Sequence, residues 1–483
     1  MDDPEAQVDD DEPTEPNNED DQHADFEPNP LFDGLFKSFE AAIDEAAVDA
    51  PAECEPSIPG EAPISAASLG GSSTPVPTSG KAHFIRDFPR PTGQTYGKGK
   101  TRFDEIFEME SSKEWSEWGP FESESEWELA KWVFKHINKT NTDEFLKLKS
   151  IRDDVQPSFS TSRELLERID DLPKGPDWFC ESITIEGDEL DANGKPITEE
   201  VELWGRDILE GTAELFGKPS IKGMLHKPEK HYQDRDGNEQ IISESNTASG
   251  WWDAQKTLPD GATAVPLIIG SDKTQLSVFS GDKSAWPVYL TIGNIPKADR
   301  RCPSKRTQFL LGYLPVTKLK IFSNKNTRRV QIYRLFHRCM RILLGPLYKL
   351  KEKELVEMVS NDSMIRRCFI FLLAYVADHP EQCLVSCNAE SMCPTCDIRQ
   401  KDRGNLAGGE TKDTQNLVNI LRDHGANLEP HEFDDLNLRS IPEPFWAGLQ
   451  NCNISMAFAP DLLHQMYKGV FKEHLVSWCT DAI

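Results

Sequence analysis

The sequence predicts an α/β fold built on an open mixed sheet flanked by helices, and three observations lead there. The first is the run Ala264 to Ser277 (AVPLIIGSDKTQLS), a short stretch rich in Val, Leu and Ile that stops abruptly at Gly270, Ser271 and Asp272. A run of that length bounded by turn residues suits a buried strand of a central sheet. The second is Phe369 to Pro380 (FIFLLAYVADHP), which repeats the design and ends in Asp378. The third is what lies between them. Ala285 to Ile295 and Gln308 to Val316 read as two further strands, and Thr327 to Met358 reads as helical, giving the order βββαβ. Such an order closes into one mixed layer covered by helices.

Size and charge narrow the class further. At 483 residues the chain has material for two or three domains with real cores. Its mean hydropathy is −0.55, and no apolar run approaches the roughly 20 residues needed to cross a bilayer, so no membrane role is expected. The first residues, Met-Asp-Asp-Pro-Glu, are the opposite of a basic, apolar secretory leader. The eleven cysteines therefore read as thiols or metal ligands, not as a disulfide framework. A net charge of −29 argues at first against nucleic acid. The charge is unevenly spread, however: Met1 to Ala50 has Lys37 as its only Lys or Arg, whereas Lys297 to Arg367 is rich in both. That asymmetry leaves room for a polyanion-binding face.

Along the chain, residues 1–80 are acidic and then rich in Pro, Ser, Gly and Ala. They are too poor in large apolar groups to offset the entropy of ordering, and read as a disordered tail. Within it Leu31, Leu35, Phe36, Phe39 and Ile43 fall at helical spacing, as in a transient or partner-induced helix. Residues 81–250 form a Trp-rich helical lead-in with hairpins. Its YGKGKT stretch fails as a phosphate loop, because five residues instead of four separate Gly93 from Gly99. Trp127, Ala130, Trp132 and Phe134 lie near helical spacing behind Ser123 as a cap, suggesting a packed helical subdomain. Asn193-Gly194 and Asp236-Gly237 mark two hairpin turns. The DRDGN around the second lacks the closing acid of a calcium loop. Residues 251–392 form the core sheet, and 393–483 hold a knuckle, an insertion loop and a final helix.

Two constellations carry chemistry. Single acids after strands are usually caps or turn formers. Asp272 and Asp378, delivered by two strands of one sheet, can instead hold divalent cations, since a two-metal site needs carboxylates from separate strands around ions about 3.5 to 4 Å apart. Cys393-Pro394-Thr395-Cys396 is a tight C-x-x-C step that aims two thiolates at one tetrahedral centre, a pattern favouring structural zinc. Cys383 and Cys387 are the nearest further ligands, with His424, His431 and Cys452 as alternatives. A redox dithiol would open a helix directly after a strand, whereas Asp397-Ile398-Arg399 leads into a charged, Gly-rich loop. Finally, Asp461 and His464 share a helix face one turn apart at the head of LLHQMYKGVFKEHLVSW.

Taken together, these residues resemble the Plavaka transposases of fungal genomes, relatives of the Kyakuja/Dileera/Zisupton and CACTA-type cut-and-paste elements. The resemblance runs from about Trp115 to the end of the chain. It is most specific in GSDKTQLSVFSGDKSAWPVYLTIGNIP, in YVADHPE followed by CPTC, and in PDLLHQMYKGVFKEHL, and extends to EWELAKW and EEVELWGRDILE. It implies an RNase H-like sheet, an Asp-Asp-Glu triad, a zinc-binding CxxC and a (C/D)xxH motif. By position Asp272 matches the first catalytic Asp, Asp378 the second, and Asp461 with His464 the DxxH motif. The implied chemistry is two-metal phosphoryl transfer on transposon DNA ends with Mg²⁺ or Mn²⁺, in the nucleus, by a protein that allows a homo-oligomer.

Arg300, Arg301, Lys305, Arg306, Lys318, Lys320, Arg328 and Arg329 would then meet phosphates. The family's third acid lies beyond the DxxH helix, so the chain reads as a truncated copy in which that Glu is not named. No amino-terminal zinc finger is found, Cys54 having no neighbouring partner. The alternative expectation is a domesticated, catalytically dead DNA-binding or nuclear interaction protein.

Overall fold

The computed structural model describes residues 84–113, 115–275, 284–402, 408–461 and 463–482, with the side chains of residues 400 and 463–465 left outside that description. These residues fall in one compact unit, Pro77–Ile483. The acidic tail and its Leu31-to-Ile43 segment lie outside the described residues.

The lead-in contains a small core of its own. Helix α1, Glu124–His136, is capped by Ser123, whose hydroxyl accepts from the Glu126 N–H. The Glu126 carboxylate does not reach back to complete a capping box; it takes the N–H groups of Glu122 and Ser158. Ala130 and Val133 pack with Phe121, Leu146, Phe159 and Leu165. Trp127 packs against this cluster, but Trp132 and Phe134 point outward at 53% and 55% exposure. The packed subdomain is therefore real, while two of its four expected aromatic and small contacts sit on the wet face.

Next come strands β1, Trp178–Leu190, and β2, Pro196–Arg206, joined by the Asn193-Gly194 turn, where Gly194 has φ +77. A positive φ of that size is what Asn-Gly supplies cheaply. The Asp236-Gly237 turn likewise links Glu229–Tyr232 to Gln240–Ile241, with Gly237 at φ +80. Helices α2, Ile208–Phe216, and α3, Ser249–Thr257, precede the central strand β3, Thr263–Ser271. Strands β4, Ser284–Ile292, and β5, Phe309–Leu314, follow, then the long helix α4, Lys325–Leu343, and strands β6, Val356–Val359, and β7, Met364–Ala377. The helical reading to Met358 overran: the helix is interrupted at Leu344, a short second helix covers Gly345–Lys349, and the VEMV segment beyond it pairs with β7. Gly345-Pro346 breaks the ladder there, and an edge with an open partner captures the β-branched residues beyond.

β5, β4 and β3 run antiparallel in turn, and β7 lies parallel to β3 on its other side. A short last strand, β8, Phe458–Pro460, lies parallel to the far end of β7. β2 and β1 extend the opposite edge through Tyr313↔Trp204, so hydrogen bonding crosses the boundary read at residue 250. Both faces of the middle are covered. Val265, Leu267 and Ile269 point to the α4 side with Phe336, Met340 and Leu343, while Ala264, Phe369 and Phe371 meet Trp251 and Ala254 of α3. Such two-sided burial explains why β3 and β7 read as continuous apolar runs without alternation.

Leu267 is fully buried in this layer. Leu267→Ala is expected to cost about 2 to 5 kcal/mol of unfolding free energy, measured as a lowered urea midpoint with an unchanged m-value.

Candidate active site and cysteine cluster

The parallel pairing of β3 and β7 sets the site. Val376 pairs with Gly270, and the next step of the register sets Ala377 beside Ser271. Asp272 and Asp378 are the residues that leave these neighbouring strands at the same end, as the sequence spacing anticipated. On the other flank Ala377 pairs with Pro460, and the Asp461 N–H donates to the Ala377 carbonyl at 3.3 Å. Three adjacent parallel strand ends thus each hand over to an aspartate. Asp461 lies two residues before the helix Leu463–Val476, in which His464 sits with its side chain outside the described residues.

Asp378 has a second, local duty. It is the N-cap of helix α5, His379–Val385, and its Oδ1 accepts from the Glu381 N–H at 2.9 Å. Pro380 suits the start of a helix, where its missing N–H is not needed. Gln382 Nε2 donates to the Ala377 carbonyl at 2.8 Å, tying the helix to the strand end. Thr274 Oγ1 stands 3.4 Å from Asp272 Oδ2.

Beneath the aspartates lies an acid that spacing did not single out. Glu381 is buried at 8% exposure, with its Oε1 taking the Ser271 hydroxyl and the Trp286 Nε1–H, the latter at 3.3 Å. Tyr375, also buried, closes the network through its hydroxyl against Ser271 Oγ. Burial drives the Glu381 carboxyl up to about 7, against the lowering pull of Ser271 and Trp286, and the charges of Asp378 and Asp272 raise it further. Both aspartates are therefore within electrostatic reach of one buried group. The signal was present in YVADHPE and GSDK, the two segments that carry Glu381 and Ser271, but only the fold shows that they touch.

The cysteines divide differently from expectation. Burial pushes the Cys393 thiol up, yet hydrogen bonds from the Cys396 and Thr395 backbone and from the Cys396 side chain leave it below its ordinary value. Cys383 Sγ lies 3.6 Å from His379 Nε2 and 3.9 Å from the Met392 carbonyl, beside the knuckle. Cys387 instead turns into the core, where burial pushes its thiol well above the usual range and Sγ meets His337 Nε2 at 3.4 Å. His337 is itself committed: its Nδ1 accepts from the Phe445 N–H at 3.2 Å, and its Nε2 faces the Leu384 carbonyl at 3.0 Å. His431 pairs with Asp435 and His424 stacks on Phe433, both apart from the knuckle in these contacts. Among the described residues no group of three or more His, Cys, Asp or Glu side chains is already gathered as a metal cage.

The basic residues also divide. Arg300 is spent inside the protein, donating to the Ile295 and Gly293 carbonyls at 2.6 and 3.3 Å and pairing with Glu244 at 3.7 Å. Arg328 donates to the Phe322 carbonyl at 2.6 Å, and Lys305 pairs with Asp299 at 3.7 Å. Arg329 is half-buried on α4, whereas Arg301, Arg306, Lys318 and Lys320 are exposed. A cleft lined by Lys273, Trp286, Val316, Thr317 and Ile332 connects the segment leading to Lys318 with the residue after Asp272.

The family model of the Plavaka transposase matches residues 159–479, about two thirds of the chain. The chain belongs to that family, and the match covers β1 through the helix after Asp461. No curated protein matches it. Among the described residues no helix is long and apolar enough to cross a membrane.

The buried acid has a thermodynamic consequence. With its folded value raised from 4.5 to about 7, Glu381 keeps a proton that the unfolded chain releases above pH 4.5. Stability is therefore lost as pH climbs from about 4.5 to about 7 and is level beyond, because the native state binds the extra proton only in that window. Glu381→Gln is expected to unfold at higher urea than the parent at pH 8, by an order of about 3 kcal/mol, with the difference shrinking towards pH 5.

Proposed function

We propose that this chain is a metal-dependent DNA strand-transfer protein of the Asp-Asp-Glu type, built on an RNase H-like sheet and acting on transposon ends in the nucleus. The observation that carries the reading is the delivery of Asp272 and Asp378 by adjacent parallel strands at matched register. The order β5-β4-β3-β7-β8, three antiparallel strands followed by two parallel ones, is the order such a sheet requires and supports the same reading.

The donor chemistry fits a hard divalent cation. Mg²⁺ commonly takes one or two protein carboxylates and fills its remaining octahedral positions with water and substrate phosphate, so two aspartates suffice without a closed protein cage. When bound, Mg²⁺ or Mn²⁺ supplies activation of the attacking oxygen and neutralisation of charge at the leaving oxygen. Everything else falls to the chain. Asp378 is oriented by the N-cap hydrogen bond it accepts from Glu381, and Asp272 follows the end of a strand buried on both faces. Ser271, Tyr375 and Trp286 fix the floor beneath them around Glu381. Arg301, Arg306, Lys318 and Lys320 provide exposed positive charge for phosphates, a salt-dependent and largely sequence-independent contribution to DNA affinity.

The test is nicking of duplex DNA carrying the element's ends, with Mg²⁺ or Mn²⁺ added. Asp272→Asn and Asp378→Asn are each expected to abolish cleavage, at least a hundredfold, while DNA affinity at low salt is kept or slightly raised, since an acid near phosphates is lost. Cleavage by either variant at the parental rate would overturn the assignment. Firm DNA binding without cleavage under both metals would leave the chain a binding protein.

A further inference from the structure

We propose that Glu381 is the positioning residue that sets the separation of Asp272 and Asp378, its backbone holding one aspartate and its carboxyl holding the strand that delivers the other. The proposal rests on reading the two aspartates as a divalent-cation site.

The two halves of Glu381 act on different strands. Its N–H donates to Asp378 Oδ1 at 2.9 Å and so orients the carboxylate that follows β7. Its Oε1 takes the hydroxyl of Ser271, the last residue of β3 and the neighbour of Asp272. Consecutive Cα atoms stay about 3.8 Å apart across a trans peptide, so the place of Ser271 limits the place of Asp272. Trp286 of β4 donates its Nε1–H to the same oxygen at 3.3 Å, and the Tyr375 hydroxyl of β7 meets Ser271 Oγ. The register pairs of β3 and β7 end at Gly270 and Val376. Beyond them this one side chain continues the link between the two strand ends and anchors it on β4.

Filling the space would not require an acid. An apolar side chain of similar size occupies such a place without the cost of burying an ionisable group. Glu381 is 8% exposed and bears that cost. What the carboxyl adds is direction, since one oxygen accepts from two strands at once. Partners that orient metal-binding carboxylates in this way govern metal affinity by roughly 10- to 100-fold. Mg²⁺ is the sensitive probe of their spacing, because it demands near-ideal octahedral geometry where Ca²⁺ accepts flexible coordination.

The experiment is calorimetric titration of the full chain, free of DNA, with Mg²⁺ and separately with Ca²⁺, beside Glu381→Gln, Glu381→Leu and Ser271→Ala. Gln and Leu remove the same ionisable group, but only Gln keeps an oxygen for Ser271 and Trp286, so their difference reports the brace and not the charge. Glu381→Leu is expected to bind Mg²⁺ at least about tenfold more weakly than Glu381→Gln, with Ca²⁺ changed by less than about threefold. Ser271→Ala removes a donor and leaves the acid. It is expected to show the same loss for Mg²⁺, and it decides the question if Glu381→Leu does not fold. Parental Mg²⁺ affinity in Ser271→Ala overturns the brace. Equal weakening of both ions in folded Glu381→Leu also overturns it, because general loosening of the fold gives that result. A parent protein whose Mg²⁺ binding is untouched by Asp272→Asn overturns the cation site itself and this proposal with it.

Discussion

The parallel register between β3 and β7 is the constraint on which the molecule turns. Side chains alternate across a strand, so a slip of one residue would send Leu267 and Ile269 to the α3 side and Ala264 to the α4 side. Each side is packed for its own set: Trp251 and Ala254 leave room for Ala264 and the two Phe rings, while Phe336 and Met340 interlock with Leu and Ile. Hydrophobic burial therefore selects one pairing. The positions of Asp272 and Asp378 follow from that selection, since each is simply the residue at which its strand stops. Polar chemistry at the sheet edge is placed by apolar packing several residues away.

A buried carboxyl beneath two aspartates is costly, and the fold offsets the cost locally. Ser271 and Trp286 donate to the same Glu381 oxygen, and Tyr375 extends the network into the core. Burial nonetheless outweighs these donors and keeps the carboxyl towards its neutral form. A carboxyl held towards its neutral form adds less charge beside the two strand-end aspartates than an ionised one would. Structures tolerate such local strain on stability where a site needs its groups preorganised.

How much of this was legible in letters depended on whether a residue's neighbours could be inferred without the fold. The four core strands and the two hairpin turns were legible because short apolar runs and Asn-Gly or Asp-Gly steps act locally. Asp272 and Asp378 were legible because both end such runs. Glu381 was hidden: in YVADHPE it reads as an ordinary first-turn acid, and its burial comes from Trp286, about a hundred residues away. His379 was hidden beside the cysteines, since the helical spacing that brings it to Cys383 becomes visible only once the helix start is fixed at Asp378. Arg300 and Arg328 looked like phosphate contacts because sequence shows charge and not the carbonyls that absorb it. Cys387 looked equivalent to Cys383, four residues away, yet Cys387 has a left-handed backbone, φ +62, just past the end of α5 and turns into the core.

Helix α5 is where these separate threads join. Its N-cap belongs to the strand-end aspartates, its third residue is the buried acid, and its fifth residue, Cys383, meets both His379 and the Met392 carbonyl beside the knuckle. A seven-residue helix has little intrinsic stability, so its geometry must come from tertiary contacts. Gln382 anchors it to β7, Glu381 to β3 and β4, and the Val385 carbonyl accepts from Trp446 Nε1 at 2.7 Å. Such a short element, held from three sides, takes the placement of its N-cap Asp378 from these contacts and not from its own helical stability.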